Sequence, residues 1–368
     1  MTLWPNAQKL VTTYIPDIEL EEIVLRNFSF PIIDKNDNVL VDVPLGDDVR
    51  TSCWAGIHGL LLMACEKEVE GHGSLTVQWG HQVHGIVERS DHLVVTYKGN
   101  GSIEEQMTAD LVVAADGARS HIRKLVLPDV NTEYAGYLAW RSQISELEIP
   151  EELRFVLEGK VPQCMFDGSY VVVYTSPNEI GSMRKGERVI EWCWYDPCDA
   201  STAAFADYMT DTEGVRHEVT VPANQLRTEV WEAQLERRDA MLSPRWKKIF
   251  HQSKKMPLLT AIHGFDNTKA SFYGGKLLLA GEAFIQVRPN MGASCDIAAL
   301  SAMTLSQVLD GSLTVHQWEK KVAAHGMEKA IGSRATAVFG MTGKWPDSYT
   351  AESAAQFSQE FVQEHATA

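Results

Sequence analysis

"DLVVAADGARSHIR", residues 110–123, is the stretch on which the fold turns. Leu111 to Ala115 are continuously apolar. That pattern suits a short strand buried on both faces, as in a parallel sheet. Asp116 and Gly117 end the strand, and Ser120 and Arg123 follow on a basic helical turn. Ligands of open α/β sheets sit at such strand ends. Gly117 lets the backbone turn sharply, and Asp116 and Arg123 can hold each other or hold a ligand. Alone, such a stretch is more often a structural turn than a site.

A second stretch of the same kind lies far downstream: "LLLAGEAFIQVRPNMGASCDIAAL", residues 277–300. A strand ends in Gly281–Glu282. A loop with Pro289 then leads into a helix at Gly292, Ala293 and Ser294. Small residues at a helix start expose free N–H groups, and the helix dipole favours negative charge there. A carboxylate at the strand end can accept hydrogen bonds from sugar-like hydroxyls. The plain alternative is a tight strand–helix connection.

Between these two stretches the chain changes character. "EYAGYLAWRSQI", "SYVVVYTSP" and "ERVIEWCWYD", all within 133–196, alternate apolar and polar residues. This predicts an antiparallel sheet with one covered face. Residues 199–257 are polar and helical. Upstream, "WPNAQKL" predicts a helix with Asn6 as its N-cap. Residues 28–45 form a hairpin around "DKNDN", 53–69 a helix stopping near Gly71 or Gly73, and 75–103 strands closed by "KGNG". Further helices follow residue 313. The fold class is therefore α/β. Segments 1–130 and 258–345 build one parallel sheet domain, a mostly antiparallel sheet domain (131–257) is inserted between them, and 346–368 is a tail or helix. There is no internal repeat.

Composition limits the function. The chain has 368 residues, is 45% apolar and 22% charged, and has net charge -16. An acidic chain repels nucleic acid and anionic membrane. No apolar run approaches a membrane span and no secretory signal opens the chain, so the expected address is cytoplasmic. Six cysteines occur, none in a C-x-x-C pair. They are expected to be buried reduced thiols, with no metal site.

The two stretches together, in this order and around a strand-rich middle, resemble the FAD-dependent aromatic hydroxylases of the para-hydroxybenzoate hydroxylase-like class. "AADGARSHIR" is similar to that family's G-A-D-G-x-x-S-x-V-R motif, and "LLLAGEAFIQVRPNMGAS" to its L-L-G-D-A-A strand and flavin loop. Phe284 and Arg288–Pro289 resemble the 2,6-dihydroxypyridine hydroxylase-like branch and its fungal relatives, as do "YAGYLAWRSQISE" and "GERVIEWCWYD". Glu282 stands where the family carries Asp, and Asn290 where the branch carries His.

The resemblance implies FAD, NAD(P)H as reductant, and insertion of an oxygen atom from O2 into an aromatic or polycyclic small molecule. It places Asp116, Gly117 and Arg123, Gly281 and Glu282, and Pro289, Asn290, Met291, Gly292, Ala293 and Ser294 at the cofactor. Trp140, Arg141, Tyr174, Trp192 and Trp194 are substrate-pocket candidates, of which strand alternation lets only some face inward. The substrate class stays open, as does a homodimer.

The family opens with a strand, a G-x-G-x-x-G turn, a helix and a second strand bearing an acid. No G-x-G-x-x-G occurs in this chain. The chain is therefore expected to carry an N-terminally truncated fold in which Leu111–Ala115 and Leu277–Ala280 lack a strand neighbour. Two further readings follow. One is a flavin-free homologue that binds a small aromatic or runs a non-redox step such as cyclisation or isomerisation, with His58, Glu282 and Asp167 as acid–base candidates. The other is a subunit whose sheet another chain completes.

Overall fold

The computed structural model describes residues 1–46, 48–67, 73–99, 101, 103–253 and 256–350. The expected helix stop at Gly71 and the tail beyond 350 lie outside them. The strands are β1 (Thr2–Leu3), β2 (Leu25–Arg26), β3 (Ser29–Ile33), β4 (Val39–Pro44), β5 (Arg50–Thr51), β6 (Gln82–Glu88), β7 (Leu93–Lys98), β8 (Glu104–Ala109), β9 (Val112–Ala114), β10 (Glu133–Ser145), β11 (Gln163–Phe166), β12 (Ser169–Ser176), β13 (Val189–Pro197), β14 (Thr220–Val221), β15 (Leu258–Gly264), β16 (Ser271–Phe272) and β17 (Leu277–Leu279). The helices are α1 (Pro5–Tyr14), α2 (Trp54–Glu66), α3 (His121–Val126), α4 (Glu151–Leu157), α5 (Ala203–Tyr208), α6 (Thr228–Asp239), α7 (Pro244–Gln252), α8 (Ser294–Leu309) and α9 (Val315–Thr342).

The alternating middle of the chain builds a large sheet of order β14-β15-β10-β13-β12-β11-β3-β4. It is antiparallel except where β3 runs parallel to β11. The hairpin at 29–44, though early in sequence, thus extends the sheet of the middle segment. Period-two alternation sorts this sheet's residues onto two faces. Leu138, Trp140, Val171, Val173, Trp192 and Trp194 pack against Trp231, Trp246, Ile249 and Phe250 of α6 and α7. Tyr137, Ala139, Tyr170, Val172, Cys193 and Tyr195 form the opposite face, against Ala337 of α9. α9 lies close there because residue 340 is glycine: a Cβ would fall 2.5 Å from the Tyr170 ring.

The two apolar stretches meet as expected. β17 and β9 run parallel, with Leu277 opposite Val112 and Leu279 opposite Ala114. Leu277, Leu278 and Leu279 are buried in the core they share with α8 and α9. Two expectations need correction. β9 is not covered on both faces, since Val113 is 39% exposed. β17 lacks no neighbour: β16 pairs its other side, so of these two strands only β9 has a side without a strand neighbour among the described residues.

Smaller differences have local causes. α1 begins at Pro5, whose fixed φ suits the first helical position, and its N-cap is Trp4. Asn6 is therefore inside the helix, and its side chain donates to Asp296 at 2.9 Å. Of 75–103 only β6 and β7 are strands, because Leu75 to His81 pair with nothing in a ladder. α2 is strongly apolar, yet only Ile57 on it is buried. All six thiols are free, but Cys65 is exposed rather than buried. No described helix is long and apolar enough to cross a membrane.

Candidate functional site

The site grows from the C-terminal ends of β9 and β17. The parallel register carries on past the strands, where the Ala280 N–H donates to the Ala114 carbonyl at 2.9 Å. Asp116–Gly117 and Gly281–Glu282 therefore leave the sheet side by side. Gly117 has φ +76° with nothing within 4 Å of a built Cβ, so open space lies before it.

Arg123 locks the two loops together. Its guanidinium donates to the carbonyls of Glu282 at 3.3 Å, Ala283 at 3.1 Å and Ala118 at 2.6 Å. It also stacks 3.9 Å from the Phe265 ring centroid. Burial pulls its pKa down, and Asp116 pulls it back up. At 1% exposure it touches no open space. Its two terminal nitrogens donate to carbonyls while its buried Nε has no hydrogen-bond partner, so Arg123 acts as a strut between the two motifs. Asp116 is exposed, and its carboxylate accepts the N–H groups of His121 and Ile122, capping α3.

The Glu282 carboxylate accepts the Ser294 hydroxyl at 2.8 Å. This holds it against the start of α8, whose N-cap Ala293 supplies no side-chain cap. The positive end of a 16-residue helix thus stays open beside it. Pro289–Met291 form one tight turn ending in Gly292 at φ +62°. A Cβ on Gly292 would sit 2.7 Å from Thr2 Oγ1, and the Trp4 indole donates to the Met291 carbonyl. The first four residues therefore lie on this loop.

Not every loop residue faces open space. Asn290 is buried: its Nδ2 donates to the Tyr170 hydroxyl at 2.8 Å and the Ser333 carbonyl, and its Oδ1 accepts from Tyr137. Met291 packs on α9, its sulfur 3.2 Å from where a Gly332 Cβ would be. Asn290 and Met291 thus pack their side chains against protein groups. The same Asn290 contacts show that the Tyr137 face of the large sheet is the one turned to this loop.

Alternation now divides the five pocket candidates. Trp140, Trp192 and Trp194 belong to the opposite, helix-covered face and are at most 1% exposed. Trp192 and Trp194 donate to Ser253 and Ser169. They are core, and only Trp192 also reaches a cavity wall. Arg141 and Tyr174 share the loop-facing side with Tyr137. They line a cavity of about 650 Å³ with Gln143, Glu191, Met256 and Leu258. Arg141 is packed among protein groups yet solvent-reachable through that cavity. The Cys193 thiol first, then Tyr174, Tyr195 and Glu191, raise its pKa further, so its charge is permanent. Tyr174 donates to Glu191 at 2.7 Å, and burial pushes its own pKa well up, which keeps it a phenol. Sequence reasoning missed Glu191. Only the register of β12 on β13, which sets Tyr174 opposite Glu191, reveals that pairing.

The acid–base candidates do not assemble. His58 stacks on Trp54 on exposed α2, and Asp167 pairs with Lys35 at the β11–β12 turn. Glu282 is near neither element. Among the described residues no cluster of His, Cys, Asp and Glu could hold a metal.

Comparison with known proteins agrees with this architecture. Residues 45–156 match the family described as FAD binding domain, and residues 134–264 one described as FAD binding domain-like. Over 225 residues the chain is 26% identical to 2,6-dihydroxypyridine 3-monooxygenase of Paenarthrobacter nicotinovorans, a match covering 59% of this chain and 54% of that protein. It is 31% identical over 120 residues to 6-hydroxynicotinate 3-monooxygenase of Pseudomonas fluorescens, covering 30% and 28%. The chain thus matches about half the length, or less, of these relatives. The solved structure of 2,6-dihydroxypyridine-3-hydroxylase from Arthrobacter nicotinovorans superposes with TM-score 0.78 at 20% identity, covering 95% of this chain and 85% of that one.

Proposed function

Because this chain belongs to the family of FAD-dependent aromatic hydroxylases, we propose that it hydroxylates a small aromatic carrying an ionised oxygen or carboxylate, using FAD, NAD(P)H and O2. The observation that carries this is Arg141, a permanent cation at the wall of a cavity of about 650 Å³ on the sheet face turned to the Pro289–Gly292 loop. A cation at such a wall discriminates for an anionic edge. Hydroxypyridines, the compounds named for both sequence relatives, have that chemistry.

The residues fit one end of a flavin. Gly281–Glu282 present a carboxylate for hydroxyls, and the uncapped start of α8 presents N–H groups and positive potential. Open space lies before Gly117. When bound, FAD supplies the oxygen-transfer chemistry. The protein's part is positional. Arg141 holds the anionic edge, Tyr174 donates within the pocket and orients the Glu191 carboxylate, and Met256 and Leu258 keep the wall apolar. The division of the chain into a cofactor part and a substrate part, expected at about 130 and 258, is kept on the same footing with β3, β4 and β15 assigned to the substrate side, whose sheet they join.

One observation favours a second reading, in which another polypeptide segment completes the cofactor grip. The outer side of β9 has no strand neighbour among the described residues, and α2 exposes Trp54 at 65% and Met63 at 68%. The deciding experiment is an absorbance spectrum of the purified chain titrated with FAD. A bound yellow flavin near unit stoichiometry supports the hydroxylase. A folded, colourless protein that ignores FAD overturns it for this chain alone. With flavin bound, Arg141→Ala should weaken binding of a hydroxypyridine or aromatic carboxylate by roughly 10–100-fold, the loss of one charge-assisted contact. A neutral aromatic should bind unchanged.

A further inference from the structure

We propose that a second cavity, behind residues 286–288, binds a small organic monocarboxylate between Arg288 and Gln286. The cavity measures about 420 Å³, a size usual for small-molecule sites. Residues 129–135, 264–266, 286–288 and 330–334 enclose it, and it shares no lining residue with the Arg141 cavity. Phe265 and Gln286 exchange backbone hydrogen bonds, and the Arg288 N–H donates to the Ser333 hydroxyl of α9. This short segment is therefore pinned on two sides. Val287 belongs to the β17 core, so alternation turns Gln286 and Arg288 toward the cavity.

Arg288 is a half-buried cation without an acid. Its guanidinium lies 5.6 Å over the Tyr137 ring and bonds that residue's hydroxyl. No described carboxylate pairs with it, although the chain carries 49 acidic residues against 33 Lys and Arg. Arg334, in the same cavity, shows the ordinary arrangement by taking Asp266 at 2.6 Å. The Gln286 amide is equally unspent: it bonds no described residue, and its Oε1 is buried without a donor. A carboxylate takes paired N–H groups from a guanidinium, and the Gln286 Nε2 adds a further donor. Val130, Tyr134 and Ala135 are half-buried along the wall and suit an organic frame. Asp129 and Glu133 stand exposed among the lining residues. Like charges repel, so these two admit a single negative charge more readily than a double one.

The cavity lies directly behind the cofactor loop, since Arg288 runs into Pro289 and the Phe265 ring stacks on the Arg123 guanidinium. Binding there needs neither flavin nor the Arg141 cavity. Calorimetric titration of the Arg141→Ala chain with benzoate, in the absence of FAD, should therefore show one site per chain. Adding Arg288→Gln should weaken that site roughly 10–100-fold, the loss of one charge-assisted contact. Inorganic phosphate in its dianionic form should bind more weakly than benzoate. Glu133→Gln, at an exposed position, covers the case in which the Arg288 variant misfolds. It should tighten benzoate roughly 2–5-fold at low salt, by removing one like charge. No benzoate site in Arg141→Ala, undiminished binding after Arg288→Gln, phosphate as tight as benzoate, or no effect of Glu133→Gln overturns the proposal. In the unsubstituted chain, two benzoates support both cavities. A single benzoate that survives Arg141→Ala supports this site and overturns only the role given to Arg141.

Discussion

Arg123 shows what a single side chain can do for the architecture of a site. Three carbonyls from two loops converge on one guanidinium, so removing it leaves buried acceptors unpaired. Arg123→Ala should cost about 3 kcal/mol, from unpaired acceptors at ~1–3 kcal/mol each, measured as a lower urea midpoint. The flavin titration should weaken with it, because Glu282 loses its backbone anchor. Asp296 is the second such residue. It is 1% exposed and accepts the Asn6 and Ala7 N–H groups and the His325 ring, joining α1, α8 and α9. Burial raises its pKa, but the hydrogen bonds from His325 and Asn6 outweigh this and hold it below the usual value. A carboxylate depressed in the folded state stabilises above its unfolded pKa of about 3.9, and that stability is lost as pH falls through the lower folded pKa. The native chain should therefore lose stability steeply below about pH 4. Asp296→Asn should be less stable at pH 7 and show a flatter acid limb in pH-dependent unfolding.

Elements carry the next level. Strand alternation placed aromatic residues on both faces of β10, β12 and β13, and the covering helices decided what each face does. Trp194 packs with Phe250 and Trp231 under α6 and α7. Trp194→Ala should cost about 3–5 kcal/mol, as buried aromatic truncations do, with ligand affinity of the surviving folded protein unchanged. A pocket wall would behave the opposite way. The turn before α8 is equally constrained. Gly292→Ala meets both a left-handed φ of +62° and the Thr2 side chain. It should shift β1 and the loop together, seen as lost stability and weaker flavin binding.

At the scale of the whole molecule, two sheets are joined by α9, which lies on both. The Trp318 end packs on the β17 core, and the Gly340 end packs on Tyr170 of the large sheet. α2 packs Ile57, Leu60, Leu61 and Ala64 on the α1 core and leaves Trp54 and Met63 exposed. Trp54→Lys with Met63→Lys should therefore change unfolding free energy by no more than ~0.5 kcal/mol, while lowering the binding of an apolar dye.

Read alone, the chain indicated that it is α/β, that Leu111–Ala115 and Leu277–Ala280 give strands to one sheet, and that the ends of those strands are the place to look for ligand chemistry. These follow from local pattern: continuous apolarity, a glycine at each strand end, and small residues before a helix. The tertiary structure alone decided which side chains reach a cavity and which are packed into the core. Arg141 and Trp140 are adjacent and equally plausible in sequence, yet alternation sends them to opposite faces, and only the packing of α6 and α7 makes one face core and the other a cavity. Arg123 and Asn290 resemble ligand-binding residues by motif, and both bond partners far away in the chain. Periodicity is local and can be read from a chain. Which face meets which partner depends on contacts between residues a hundred or more positions apart.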